Sequence, residues 1–143
     1  MKGYFKDDEA TANVVRDGWM STGDVVVLDD DGYVSFVDRA KDVIKRAGEN
    51  IAAGEVEAVI KQHDSVADAA VIGVPDSMRD ESIKAFVVLK ENRLVPESEI
   101  IEFCKTKLSK FRVPEFVEFR DSLPRTSVGK IQKHILRDQN MPG

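Results

Sequence analysis

Apolar positions along the chain fall into short blocks separated by polar breaks, and the spacing inside each block sets the element it predicts. Val25 to Leu28, the turn Asp29-Asp30-Asp31-Gly32 and Tyr33 to Val37 read as a β-hairpin, with Val34 and Phe36 on one side and Tyr33, Ser35 and Val37 on the other. Before it, Thr11 to Trp19 is expected to form a short helix. After the break Asp38-Arg39-Ala40-Lys41-Asp42, the segment VIKRAGENI reads as a tighter hairpin turning near Gly48. Gly54 to Ile60 opens an amphipathic helix with acids in its first turn, where the helix dipole favours them. The β-branched runs Val66 to Val74, which Pro75 is expected to stop, and Ile83 to Leu89 predict buried strands. Pro96 starts a helix whose stripe is Ile100, Ile101, Phe103, Cys104 and Leu108; Phe116, Val117 and Phe119 form another strand. Pro124 to Gly129 is a loop and Ile131 to Arg137 a final helix. The expectation is α+β: a small central sheet of about three strands covered by helices, preceded by a β-hairpin arm.

Composition narrows the class. The 143 residues are 42% hydrophobic and 33% charged, too apolar for a disordered chain, and no apolar run is long enough to span a bilayer. The single cysteine, Cys104, excludes a disulfide framework and a thiolate metal site, and its place in a helical stripe reads as core. His63 and His134 have no paired ligand spacing and read as surface or structural; no metal site is expected, and the chain is expected to be cytoplasmic. Charge is unevenly spread: residues 1–38 carry three basic against nine acidic side chains, and residues 105–137 nine basic against three acidic. Read by itself, the basic segment is either a solvated face or a surface for an anionic partner such as a carrier protein or nucleic acid; the overall charge of −5 and the lack of RNA-binding aromatic motifs speak against nucleic acid.

No Gly-rich dinucleotide loop, Walker A or serine-hydrolase elbow is present. What stands out is an ordered set of short phrases: Gly18-Trp19, Ser21-Thr22-Gly23-Asp24, Asp38-Arg39-Ala40-Lys41-Asp42, Ile44 to Ile51, Val74-Pro75-Asp76, Phe111-Arg112-Val113-Pro114 and Leu123 to Lys130. Together they resemble the C-terminal part of the adenylate-forming acyl-CoA synthetases. Within that family the phrases Arg79-Asp80-Glu81 and Ile83-Lys84-Ala85-Phe86 are most similar to crotonobetaine/carnitine–CoA ligases, and so to carnitine metabolism.

The resemblance implies a ligase that joins a carboxylic acid to CoA in two steps, with ATP, Mg2+ and CoA consumed by a longer protein, and a small domain that turns between steps. It implies that Lys130 is the adenylation lysine, that Asp24 and Arg39 hold the ribose and nucleotide, and that Lys41 is the hinge. Lys45, Arg46 and Gly48 match the loop along the CoA pantetheine, where Ala47 departs from the common Gly or Lys; Val128 departs from the small residue usual before Gly-Lys. Without the resemblance, Lys130 is an exposed tail lysine and Asp24 a turn residue. The chain then divides into the end of a large N-terminal domain (1–38), a hinge (39–41), a mobile C-terminal domain (42–138) and a tail (139–143). Its phosphate loop, adenine pocket and acyl pocket are expected in the missing N-terminal domain, so the piece alone is expected to be inactive. The other reading is a stand-alone module that binds through the 105–137 segment or is regulated by modification of Lys130.

Overall fold

The computed structural model describes residues 2–140, and the chain divides into two compact units, residues 1–41 and 42–143. In the first unit, helix α1 (Asp8–Val14) is capped by Asp7, whose carboxylate accepts the Ala10 N–H at 2.9 Å. It is shorter than expected and begins earlier. The two-residue strands β1 (Val15–Arg16) and β2 (Trp19–Met20) close around Asp17-Gly18, and that reversal ends the helix. The hairpin of β3 (Asp24–Leu28) and β4 (Val34–Arg39) forms as the alternation predicts. Its turn is held by the Asp29 carboxylate, which accepts N–H bonds from Asp31 and Tyr33. Val26 faces Phe36 and Leu28 faces Val34 across the strands, and all four are about half to two-thirds exposed.

The second unit is a sheet between two helical layers. β5 (Val43–Arg46) and β6 (Glu49–Ala52) form the tight hairpin, followed by α2 (Ala53–Ile60), β7 (Val66–Asp76), β8 (Asp80–Leu89), α3 (Glu97–Lys107), β9 (Phe116–Phe119) and α4 (Lys133–Asn140). The strand order is β6-β5-β8-β7, with β9 parallel to β8 on the side of β8 that also meets β5. The sheet therefore has five strands rather than about three, because the 43–52 hairpin joins it. β7 runs through Pro75 to Asp76; it is the edge strand, where a residue without an N–H interrupts no ladder bond.

Alternation along β7 and β8 sorts the core. Ala69, Val71, Ile83, Ala85 and Val87 pack with Val56 and Ile60 of α2 and Ile100 and Cys104 of α3. Ala70, Ile72 and Phe86 pack on the other face with Leu123 and with Leu136 of α4. Cys104 is fully buried, and that burial pushes its thiol up to about 11, so it is core and not a nucleophile. α4 extends to Asn140, so it takes in the first two residues of the expected tail; residues 141–143 lie outside the described residues.

Candidate functional site

In the first unit, β3 begins at Asp24 and β4 ends at Arg39, and the register makes the two direct cross-strand partners. Arg39 Nε stands 3.1 Å from Asp24 Oδ1, and its Nη1 donates to the Thr22 carbonyl at 3.2 Å. The Arg39 side chain is about half exposed, so the pair adds little to stability; its effect is to fix the direction of the carboxylate. Lys41 follows, exposed.

The second unit carries the other expected site residues on two separate loops. Ala47 and Gly48 form the turn between β5 and β6, with φ of +50° and +82°. Two successive residues in the left-handed region are what a two-residue hairpin turn requires. Gly48 meets that requirement without strain, whereas at Ala47 the methyl group makes the conformation cost about 1–2 kcal/mol. A Cβ built on Gly48 meets no atom within 4 Å, so the outer side of the turn is open. The Lys45 side chain is exposed, and its backbone N–H donates to Glu81 Oε2 at 2.7 Å. Arg46, the third residue matched to that loop, turns inward. It is 6% exposed; its Nη1 donates to the carbonyls of Phe111 (2.9 Å) and Val113 (3.2 Å), and its Nη2 to the Glu115 carboxylate. The guanidinium points inward because five donors in a fork suit a pocket of carbonyls and carboxylate. An open cavity of about 520 Å3 lies beside it, with Lys110 on its wall.

Lys130 belongs to a second, smaller reversal. The Gly129 N–H donates to the Thr126 carbonyl at 2.9 Å, the Thr126 N–H to the Lys130 carbonyl at 2.8 Å, and the Lys130 N–H to Thr126 Oγ1 at 3.1 Å. Arg125 pins this loop from below: its Nη1 donates to the Gly129 carbonyl at 2.7 Å and its Nη2 to the Asp68 carboxylate on β7. Lys61 at 3.5 Å shares that carboxylate. Past the loop, Lys133 at the start of α4 pairs with Glu57 of α2 at 2.6 Å, both nearly buried, and Arg137 pairs with Asp42 at 2.6 Å. The loop backbone is thus fixed while the Lys130 side chain stays exposed.

These pairings also account for the basic segment. Of its nine cations six meet a carboxylate: Lys105, Arg112, Arg120, Arg125, Lys133 and Arg137. Lys107, Lys110 and Lys130 have no carboxylate partner among the described residues. The anchors Asp68 and Glu57 carried no local signal, because they meet Arg125 and Lys133 only through the fold. His63 bridges α2 and α3: Nδ1 accepts the Ser65 N–H and Nε2 lies 3.2 Å from Glu99.

The two loops hang from opposite ends of one ribbon. Asp68, which anchors the Lys130 loop, and Asp76, whose strand partner Asp80 also pairs with Arg46, lie eight residues apart on β7. At 3.3 Å per residue that is roughly 26 Å. Among the described residues no group of three or more His, Cys, Asp or Glu gathers. No helix is long and apolar enough to cross a membrane.

The α+β fold matches the C-terminal domain of adenylate-forming enzymes. The chain belongs to the AMP-binding enzyme C-terminal domain family, whose sequence profile matches residues 55–130. It is 43% identical to a long-chain-fatty-acid–CoA ligase of Yersinia pestis over 99% of its length and 45% identical to a crotonobetaine/carnitine–CoA ligase of Escherichia fergusonii over 95%. It spans about a quarter of the length of these curated relatives. ATP-bound MatB from Rhodopseudomonas palustris superimposes with a TM-score of 0.86 at 35% identity, over 96% of this chain and 28% of that one.

Proposed function

We propose that this chain is the acceptor-presenting and lysine-presenting end of an AMP-forming acid–CoA ligase. In the first step a carboxylate oxygen attacks the α-phosphorus of ATP, giving an acyl-adenylate and pyrophosphate. In the second the CoA sulfur attacks the acyl carbonyl carbon and AMP leaves. The observation that carries the reading is Lys130, an exposed ammonium without a carboxylate partner among the described residues, on a loop whose backbone is pinned by Arg125. Two anions must meet in the first step, and a positioned cation between them stabilises the charge on the transferring phosphoryl oxygens. A compact ammonium on a four-carbon stem reaches from a fixed loop into a site built by other residues.

The roles proposed for the other residues follow from what each offers. Asp24 directs a carboxylate, held by Arg39, toward ribose hydroxyls, and Lys41 is the hinge. Lys45 and the open turn at Gly48 face the pantetheine of CoA. Arg46 supports that turn from inside, which leaves phosphate contacts to Lys45 and to Lys110 on the cavity wall. The separation of roughly 26 Å between loop anchors supports a domain that turns, because two loops that far apart do not serve one centre in one pose. The acid is left open: relatives at 43% and 45% identity are named for different acids. The exposed face of Val26, Leu28, Val34 and Phe36 is proposed to dock on the large domain of the longer protein. A carrier-protein or nucleic-acid module based on residues 105–137 is disfavoured by the six internal ion pairs of that segment.

Two outcomes test the reading. The purified 143-residue chain is expected to show no ATP–pyrophosphate exchange with any acid, since the nucleotide and acyl pockets are proposed to lie in the rest of the longer protein; exchange above background overturns the proposal. In the longer protein, Arg125→Ala releases the Gly129 carbonyl and the Asp68 anchor, and is expected to slow acyl-adenylate formation about tenfold while sparing the CoA step. Pre-steady-state measurement of the two half-reactions checks it.

A further inference from the structure

The hairpin that carries Lys45 to Gly48 meets β8 through a single residue pair, Arg46 opposite Asp80. All four residues of β5 pair with β6, so the other edge of β5 depends on what stands between it and the rest of the sheet. Side chains fill that role. The Lys45 N–H is met by the Glu81 carboxylate, which crosses above Gly73; a Cβ on that glycine would lie 2.7 Å from it and displace it. The Ala47 N–H donates to the Arg79 carbonyl at 3.0 Å. Arg46 and Arg79 converge on one carboxylate, Glu115: Arg46 through Nη2, and Arg79 through Nη1 at 2.6 Å. Ser82, 1% exposed, sets its hydroxyl between Glu115 Oε2 at 2.8 Å and the Asp76 carboxylate at 2.5 Å, its single proton serving one of them at a time. The Glu115 N–H donates to the Ile83 carbonyl at 3.0 Å, which seats the residue on β8 just before β9 begins. Asp76 completes the cluster, its carboxylate accepting the Met78 and Arg79 N–H groups and so fixing the turn that carries Arg79. The Ser82 hydroxyl, then the Met78 N–H, hold the Asp76 carboxyl below its ordinary value.

We infer that Glu115 is a positioning residue for the CoA step: by holding Arg46 and Arg79 together it fixes the Ala47–Gly48 turn against β8. A backbone ladder of one pair would leave the turn free to tilt; a carboxylate shared by two guanidinium groups and a hydroxyl stops the tilt with charge-assisted bonds. The inference rests on the reading that residues 45–48 face the pantetheine.

Four substitutions separate the two. In the 143-residue chain, Glu115→Gln is expected to speed amide exchange at Ala47 by about tenfold and to leave Val71, whose N–H is held by Glu57, unchanged. In the longer protein, Glu115→Gln is expected to raise the KM for CoA and slow thioester formation from supplied acyl-adenylate ten- to hundredfold, with adenylation changed by less than about twofold. Glu115→Asp, which keeps the charge, recovers part of the loss. Because Glu115→Gln strips a buried arginine of its counter-charge, Glu81→Ala serves as the second variant; it frees the exposed Lys45 amide without touching the core and is expected to slow the CoA step alone. Gly48→Val decides the underlying reading. If it leaves the CoA step intact, the assignment of residues 45–48 fails. If it slows that step while Glu115→Gln and Glu81→Ala do not, or lower both half-reactions equally, the inference about Glu115 is overturned and the assignment stands.

Discussion

Lys130→Ala in the longer protein is expected to lower acyl-adenylate formation about 10²- to 10³-fold and to leave conversion of supplied acyl-adenylate to thioester within a few-fold of the parent. The size follows from where the charge develops. Attack of a carboxylate on a phosphate brings like charges together, and a preorganised cation there is worth far more in an enclosed site than on the open surface it occupies in this chain. The selectivity follows from the fold: the Lys130 loop is held by Arg125, Asp68 and Thr126, and none of these contacts the hairpin at the other end. Folding is expected to be unaffected, because the substituted side chain is exposed and no carboxylate among the described residues depends on it. ATP–pyrophosphate exchange reads the first step, and release of AMP from added acyl-adenylate reads the second. Equal loss of both removes Lys130 from the proposed role.

Phe86→Ala is expected to cost about 3–5 kcal/mol of stability, the largest effect of any single truncation in the second unit. The ring is fully buried and packs with Ala70, Ile72, Leu123 and Leu136. The Arg120 guanidinium lies 4.8 Å from its centroid and the Lys84 ammonium 5.1 Å, so the cavity left behind also removes two cation–ring contacts. Small neighbours such as Ala70 cannot move in to fill the space. Against a total of about 5–15 kcal/mol, such a loss leaves little margin. Leu123 and Leu136 bracket the loop that ends in Lys130, so the loop's footing loosens before the sheet does. Urea unfolding of the purified chain checks this, and a loss under about 1 kcal/mol contradicts it.

Much of the fold was legible because its signals are local. Alternation along Val66 to Val74 and Ile83 to Leu89 marked the two central strands, and the stripe Ile100–Cys104 marked α3. The misjudged edges have local causes too: the Asp17-Gly18 reversal ends α1 early, and Pro75 is tolerated at a sheet edge that the sequence does not announce. What no local pattern revealed is how the 43–52 hairpin joins the sheet. That junction is a single strand pair reinforced by Glu115, 69 residues from Arg46. The same holds at the other loop, where Arg125 reaches Asp68 across 57 residues. The motif phrases named the residues proposed to meet reactants, whereas their supports come from distant strands and leave no spacing to read.

The supports of the two loops have no residue in common: Arg125, Asp68 and Thr126 on one side, Glu81, Arg79 and Glu115 on the other. Distant substitutions without shared partners have additive effects. Paired substitutions, one at each end, are therefore expected to combine additively. Under the roles proposed above, changes confined to the hairpin would alter the acceptor step and leave the supports of the Lys130 loop as they are.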